Sequence, residues 1–111
     1  MNTKQESKEI AQTIINQLGG KEFVVLTGSN GFIIHESGVS FRVGANPKKI
    51  SHCTITLNSG DLYNLIFYST QYSENGQSLK NETELTDIFC EDLKDVFESK
   101  TGLYVSFKPR H

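Results

Sequence analysis

The sequence predicts an α+β fold: an antiparallel β-meander of four to five strands, flanked by an N-terminal and a C-terminal helix packed on one sheet face. Three observations carry this prediction. A stripe of apolar residues at helical spacing opens the chain, period-2 alternation fills its middle, and a second helical stripe precedes its end. No linker, repeat or low-complexity run divides residues 1–111, so a single domain is expected. A chain of this length buries a core without disulfide or metal staples.

In the first helix, Thr3 and Glu6 match a capping box, and Ile10, Ala11, Ile14, Ile15 and Leu18 recur on one stripe. Gly19 and Gly20 end it, because glycine accepts the left-handed turn that other residues resist. Residues 23–26 are expected as a short strand. Residues 32–35 and 39–43 form a hairpin around Glu36, Ser37 and Gly38, with Val39, Phe41 and Val43 alternating against Ser40 and Arg42. Asn46, Pro47, Lys48 and Lys49 make a loop. Cys53, Ile55 and Leu57 alternate with His52, Thr54 and Thr56, the pattern of a half-buried strand. A turn at residues 58–61 leads into the last long strand, residues 62–71. Residues 72–80 are expected as a polar loop. Asn81 then caps the second helix with Glu84 at its third position, and Leu85, Ile88, Phe89, Leu93, Val96 and Phe97 form its stripe. Gly102 stops that helix, leaving residues 103–107 as a short edge strand or an ordered tail.

Composition narrows the function. The chain is 36% hydrophobic and 22% charged, as in ordinary globular proteins, with no long apolar run. Its first twenty residues are too polar for a signal peptide and too broken for a membrane span, which places it in the cytoplasm of its host cell with no membrane partner. Cys53 and Cys90 fit that compartment as buried, structural free thiols. A net charge of −2 opposes a dedicated nucleic-acid binder, which usually carries a basic footprint.

The glycine loop at Gly28 and Gly31 follows an apolar run, as phosphate sites often do, but it has no lysine and leads into strand-like residues. Without a helix N-terminus to aim amides at phosphate, it reads as a β-turn. His52 and Cys53 are adjacent, so on a strand they point to opposite faces and share no metal. Three histidines, with no Cys-x-x-Cys or His-x-x-x-His spacing, supply no metal site. No base or orienting group accompanies either thiol. The expectation is therefore no enzyme, no cofactor and no metal.

Two surfaces remain. Between residues 81 and 99 stand seven acids, Glu82, Glu84, Asp87, Glu91, Asp92, Asp95 and Glu98, against Lys94 alone. On one helix these make either a solvated face or a negative surface for a basic protein, with Glu84, Asp87, Glu91, Asp95 and Glu98 as the contact residues. Asp92 falls at the margin of the apolar stripe and needs a partner such as Arg42 or a hydroxyl. The second surface is the sheet face away from the helices. The long strand shows Ile66, Tyr68, Thr70 and Tyr72 on one side and Tyr63, Leu65 and Phe67 on the other, both apolar or aromatic. Either this strand is buried on both sides, partly under the loop at 72–80, or one side is a contact surface for a homodimer, a protein target or stacked bases.

One further pattern runs through Leu18, Gly19 and Gly20; Phe23, Thr27 and Gly28; Asn46 and Pro47; Ile55, Thr56, Leu57 and Asn58; Asp61, Leu62 and Tyr63; Phe67; and Thr101, Gly102, Leu103 and Tyr104. It resembles a group of short bacteriophage and mobile-element proteins of unknown function. The resemblance spans roughly residues 18–104, in turn glycines and core aromatics, and implies a genomic home with no functional residue. The expected function is a small non-enzymatic protein acting by protein–protein contact, as an inhibitor of a host defence or DNA-processing complex that itself binds nucleic acid. Ile66, Tyr68 and Tyr72 join the acids as its contact residues. The alternative is a single-stranded nucleic-acid binder using Arg42, Lys48 and Lys49 with Tyr63, Phe67, Tyr68 and Tyr72 as stacking rings. So few cations imply weak binding or none.

Overall fold

The computed structural model describes residues 4–73 and 76–105, with the backbone alone at 71–73 and 77–81. Helix α1 (Lys4–Leu18) buries Ser7, Ala11, Ile14 and Leu18, the four-three-four spacing of one helical stripe. Ser7 Oγ donates to the Glu36 carbonyl at 2.8 Å, tying the helix start to a sheet turn. Thr3, the expected cap, lies outside the described residues.

The strand expected at residues 23–26 is instead helix α2 (Lys21–Thr27). Gly19 and Gly20, at φ 131° and 62°, break α1 and restart the chain at a new angle. Phe23 and Thr27, four apart, are both buried, whereas Val25, which a strand would place beside Phe23, is 63% exposed. Thr27 Oγ1 donates to the Phe23 carbonyl at 2.7 Å, and Gly28 closes the helix in the left-handed conformation. Four apolar residues in a row carry no period, so the glycine pair decides.

Five strands follow: β1 (Asn30–His35), β2 (Gly38–Arg42), β3 (His52–Leu57), β4 (Tyr63–Ser73) and β5 (Gly76–Ile88). They pair antiparallel in chain order, which makes the sheet an open meander. Gly38 is required where β2 meets β3: a Cβ there would come within 2.1 Å of the Ile55 carbonyl oxygen.

In place of the loop expected at 72–80, residues 72 and 73 end β4 and residues 76–80 begin β5, and β5 also takes the first half of the expected second helix. The helical reading rested on Leu85, Ile88 and Phe89. Leu85 pairs with Leu65 and Ile88 with Tyr63, so three residues of β5 advance against two of β4. This is a β-bulge, with Asp87 held at φ 57°. One extra residue puts Leu85 and Ile88 on the same side of a strand at spacing three, which mimics a helix. A second register shift, between Phe67 and Ser69, disturbs the alternation again. Pairing here satisfies backbone groups along β4 that a polar loop would leave bare.

After β5, a 3-10 turn (Cys90–Asp92) leads into α3 (Leu93–Thr101), which buries Leu93, Phe97 and Thr101. Gly102 caps it at φ 79°, its N–H bonded to the Glu98 carbonyl at 2.8 Å. Residues 103–105 form no strand, and residues 106 and 107 lie outside the described region. Helices α1 and α3 pack on the same sheet face. Between them and the sheet, Phe97 meets Phe23, Phe67 and Phe41, with ring centroids 5.0, 6.0 and 6.3 Å away.

Candidate functional site

Alternation along the paired strands decides which side chains face outward. Val39 opposes Ile55, Phe41 opposes Cys53, and these oppose Leu65 and Phe67, all of them buried toward the helices. The residues between them form the helix-free face. One row across it runs Arg42, His52, Tyr68, and the next runs Ile33, Ser40, Thr54, Ile66, Glu84.

The first row is ordered. The His52 and Tyr68 rings stack at 5.0 Å with 3° between their planes, and Ser51 Oγ holds His52 Nδ1 at 2.8 Å. His35 Nε2 and Ser40 Oγ meet at 2.8 Å across the β1–β2 pair. Gly31 takes a left-handed φ of 64°, and a Cβ there would sit 3.5 Å from Arg42 Cδ. That is ordinary contact, so it is the left-handed backbone and not the arginine stem that calls for glycine. Together Gly31, Ile33, Ser40, Arg42, His52 and Tyr68 border an open depression of about 530 Å³.

Partial burial first, and the neighbouring Arg42 charge second, hold His52 below its ordinary pKa of 6.5. Both causes disfavour the imidazolium. Because the folded-state pKa is the lower one, any stability His52 contributes is present above 6.5 and is lost as pH falls through the folded value. We expect its NMR titration midpoint to lie below 6.5 and to move toward it in Arg42→Gln. A midpoint that ignores this substitution would mean the guanidinium points away from the ring.

The expected site residues separate. Ile66 and Tyr68 lie half-buried on the open face, and the side chain of Tyr72 lies outside the described residues. Tyr63 and Phe67 belong to the core, 5% and 0% exposed, and Tyr63 Oη donates to Gln17 Oε1 at 2.6 Å. They are therefore unavailable to stack bases, which corrects the expectation. Lys48 and Lys49 are exposed on the loop between β2 and β3, which Asn46 clasps through the Gly44 and Ile50 carbonyls at 2.8 and 2.6 Å.

The single acidic helix does not exist. Glu84 and Asp87 stand on β5, Glu91 in the 3-10 turn, and Asp95 and Glu98 on α3. Glu84 faces the open side, while Asp95 and Glu98 ride a helix on the other side, so the five make no common surface. Two of them are structural: Asp87 Oδ1 accepts from Asn58 Nδ2 at 2.9 Å, and Glu98 Oε2 from the Val105 N–H at 2.9 Å. Asp92 is exposed beside α3, away from Arg42, so the ion pair expected for it does not form. Cys90, expected to be buried, is exposed; Cys53 is fully buried, and burial pushes its thiol pKa far up.

Sequence reasoning missed the His52–Tyr68 stack and the place of Glu82 and Glu84 on the same face. Cross-strand register shows them: His52 meets Tyr68 between β3 and β4, and the glutamates take their place only once β5 is recognised beside β4. Among the described residues no three His, Cys, Asp or Glu side chains gather to hold a metal, and no helix is long and apolar enough to cross a membrane. Comparison with known proteins finds no matching family model, curated protein or solved structure.

Proposed function

We propose that this chain is a small non-enzymatic binding protein that acts by protein–protein contact through the open face of its sheet. The observation that carries this reading is the uncovered row of Arg42 beside the stacked His52 and Tyr68, next to Ile66. Arginine and tyrosine supply contact energy in protein interfaces out of proportion to their number, whereas solvated sheet faces carry charged and small polar groups. Together with the resemblance to mobile-element proteins, this supports an inhibitor of a host defence or DNA-processing complex. The partner is then the host protein itself, met in the cytoplasm.

The single-strand reading keeps the Arg42–His52–Tyr68 row and loses Tyr63 and Phe67. Each stacking ring is worth about 1–3 kcal/mol, so the two lost rings remove half of the expected platform. Pull-down from host lysate, with and without nuclease, tests the proposal using wild type and Tyr68→Ser. Nuclease-resistant capture of a host protein, weakened by the substitution, is the expected result. Capture abolished by nuclease, with submicromolar affinity for a single-stranded oligonucleotide, would overturn it in favour of nucleic acid.

A further inference from the structure

We infer that the open face pairs with a second copy of itself, face to face, about a two-fold axis running along the strands between β3 and β4. This rests on the reading of that face as a protein-contact surface and names an occupant for it.

The argument is charge complementarity within one face. Arg42 stands on β2, and Glu84 stands on β5 opposite Ile66. Glu82 is two residues before Glu84 on the same exposed side, with half-buried Thr83 between them turned inward. Positive and negative groups thus sit three strand spacings apart, about 14 Å, at opposite margins of one surface. Among the described residues, no ion pair engages Arg42, Glu82 or Glu84. A two-fold axis between β3 and β4 lays β2 over β5 of the second copy and β3 over its β4. Arg42 then meets Glu82 and Glu84 of the other copy, twice by symmetry. His52 lies over Tyr68, and Thr54 over Ile66, which places the rings and the isoleucine at the dry centre with the charges as rim. A perpendicular axis would set basic margin on basic margin, so the charges choose the orientation. Aligned sheets pack in this manner, with crossing angles near 30°.

The face is small. Four strands by three outward rows cover roughly 400 Å² per copy, below the size of stable interfaces. The dimer is therefore weak, concentration-dependent and weakened by salt.

Sedimentation velocity of the full chain, from low micromolar to near-millimolar concentration at low and high salt, tests it. The wild type is expected to show monomer–dimer exchange that salt weakens. Arg42→Glu, and separately Glu82→Lys with Glu84→Lys, should each weaken association by about tenfold or more, and the three substitutions together should restore it. Circular dichroism checks that each variant is folded. A dimer indifferent to both reversals, or one not restored by combining them, overturns the inference. So does a wild type that stays monomeric at low salt. If such a monomer still captures a host protein in a Tyr68-dependent way, the face remains a contact surface with a different occupant. If capture is also indifferent to Tyr68, both readings fall.

Discussion

Phe97→Ala is expected to lower the unfolding free energy by about 3–5 kcal/mol, the cost of emptying an aromatic site in a packed core. Phe97 is fully buried and is the one ring that touches all of Phe23, Phe41 and Phe67. It joins α3 to α2 and to β2 and β4, the two strands that flank the central β3. Each edge or tilted aromatic pair adds about 0.5–1.5 kcal/mol beyond its buried area. Domains of this size are stable by only about 5–15 kcal/mol, so the substitution removes a large share of the total. Urea denaturation followed by circular dichroism measures it. Val25→Ala is the control: an exposed residue on the short helix should change stability by no more than about 0.5 kcal/mol. A loss below about 1 kcal/mol for Phe97→Ala would mean that α3 is not docked on the sheet as described.

Where local pattern and tertiary contact agree, the fold was legible in the sequence. The stripe of α1, the alternation of β2 and β3 and the glycine after α3 each have one physical reading. Residues 76–92 did not, and the cause is the bulge at Thr86 and Asp87, which gives a strand the i, i+3 spacing of a helix. A stronger local signal was present. Asn75 followed by Gly76, between Tyr72 and Leu79, is a favoured hairpin-turn dipeptide, and Gly76 takes a positive φ of 105°. Reading it would have turned a polar loop into two strands and dissolved the acidic helix. The candidate site was legible in part. Arg42, His52 and Tyr68 were each visible by alternation as residues beside the exposed side, but only the register sets them in one row. Tyr63 and Phe67 were misjudged because an aromatic-rich strand has two plausible inward sides until the helices cover one.

Cys53 is expected to be silent to a thiol reagent under native conditions while Cys90 reacts at once. Cys53 lies at the centre of β3 between Phe41 and Phe67, fully buried, whereas Cys90 is exposed ahead of α3. Labelling of Cys53 requires opening of the core, so its rate relative to Cys90 reports the open population, about 10³–10⁸-fold suppressed in small domains. Phe97→Ala should then raise the Cys53 rate by roughly two to three and a half orders of magnitude, because each 1.4 kcal/mol is a factor of ten. The same burial gives a pH signature. In the folded state the thiol keeps its proton well past its ordinary value of 9.0, while the unfolded chain releases it there. Above that pH the folded state binds more protons, so stability present below 9.0 is lost as pH rises. The slope approaches about 1.4 kcal/mol per pH unit, and the Cys53 part is what Cys53→Ala removes. Burial also raises Tyr63 above its ordinary 10.0, which adds loss of the same sign at higher pH and makes the interval from 9.0 to 10.0 the one to measure. Equal labelling of both cysteines in native buffer would show that the helices do not seal the sheet, and the division into a covered and an open face would fail with them.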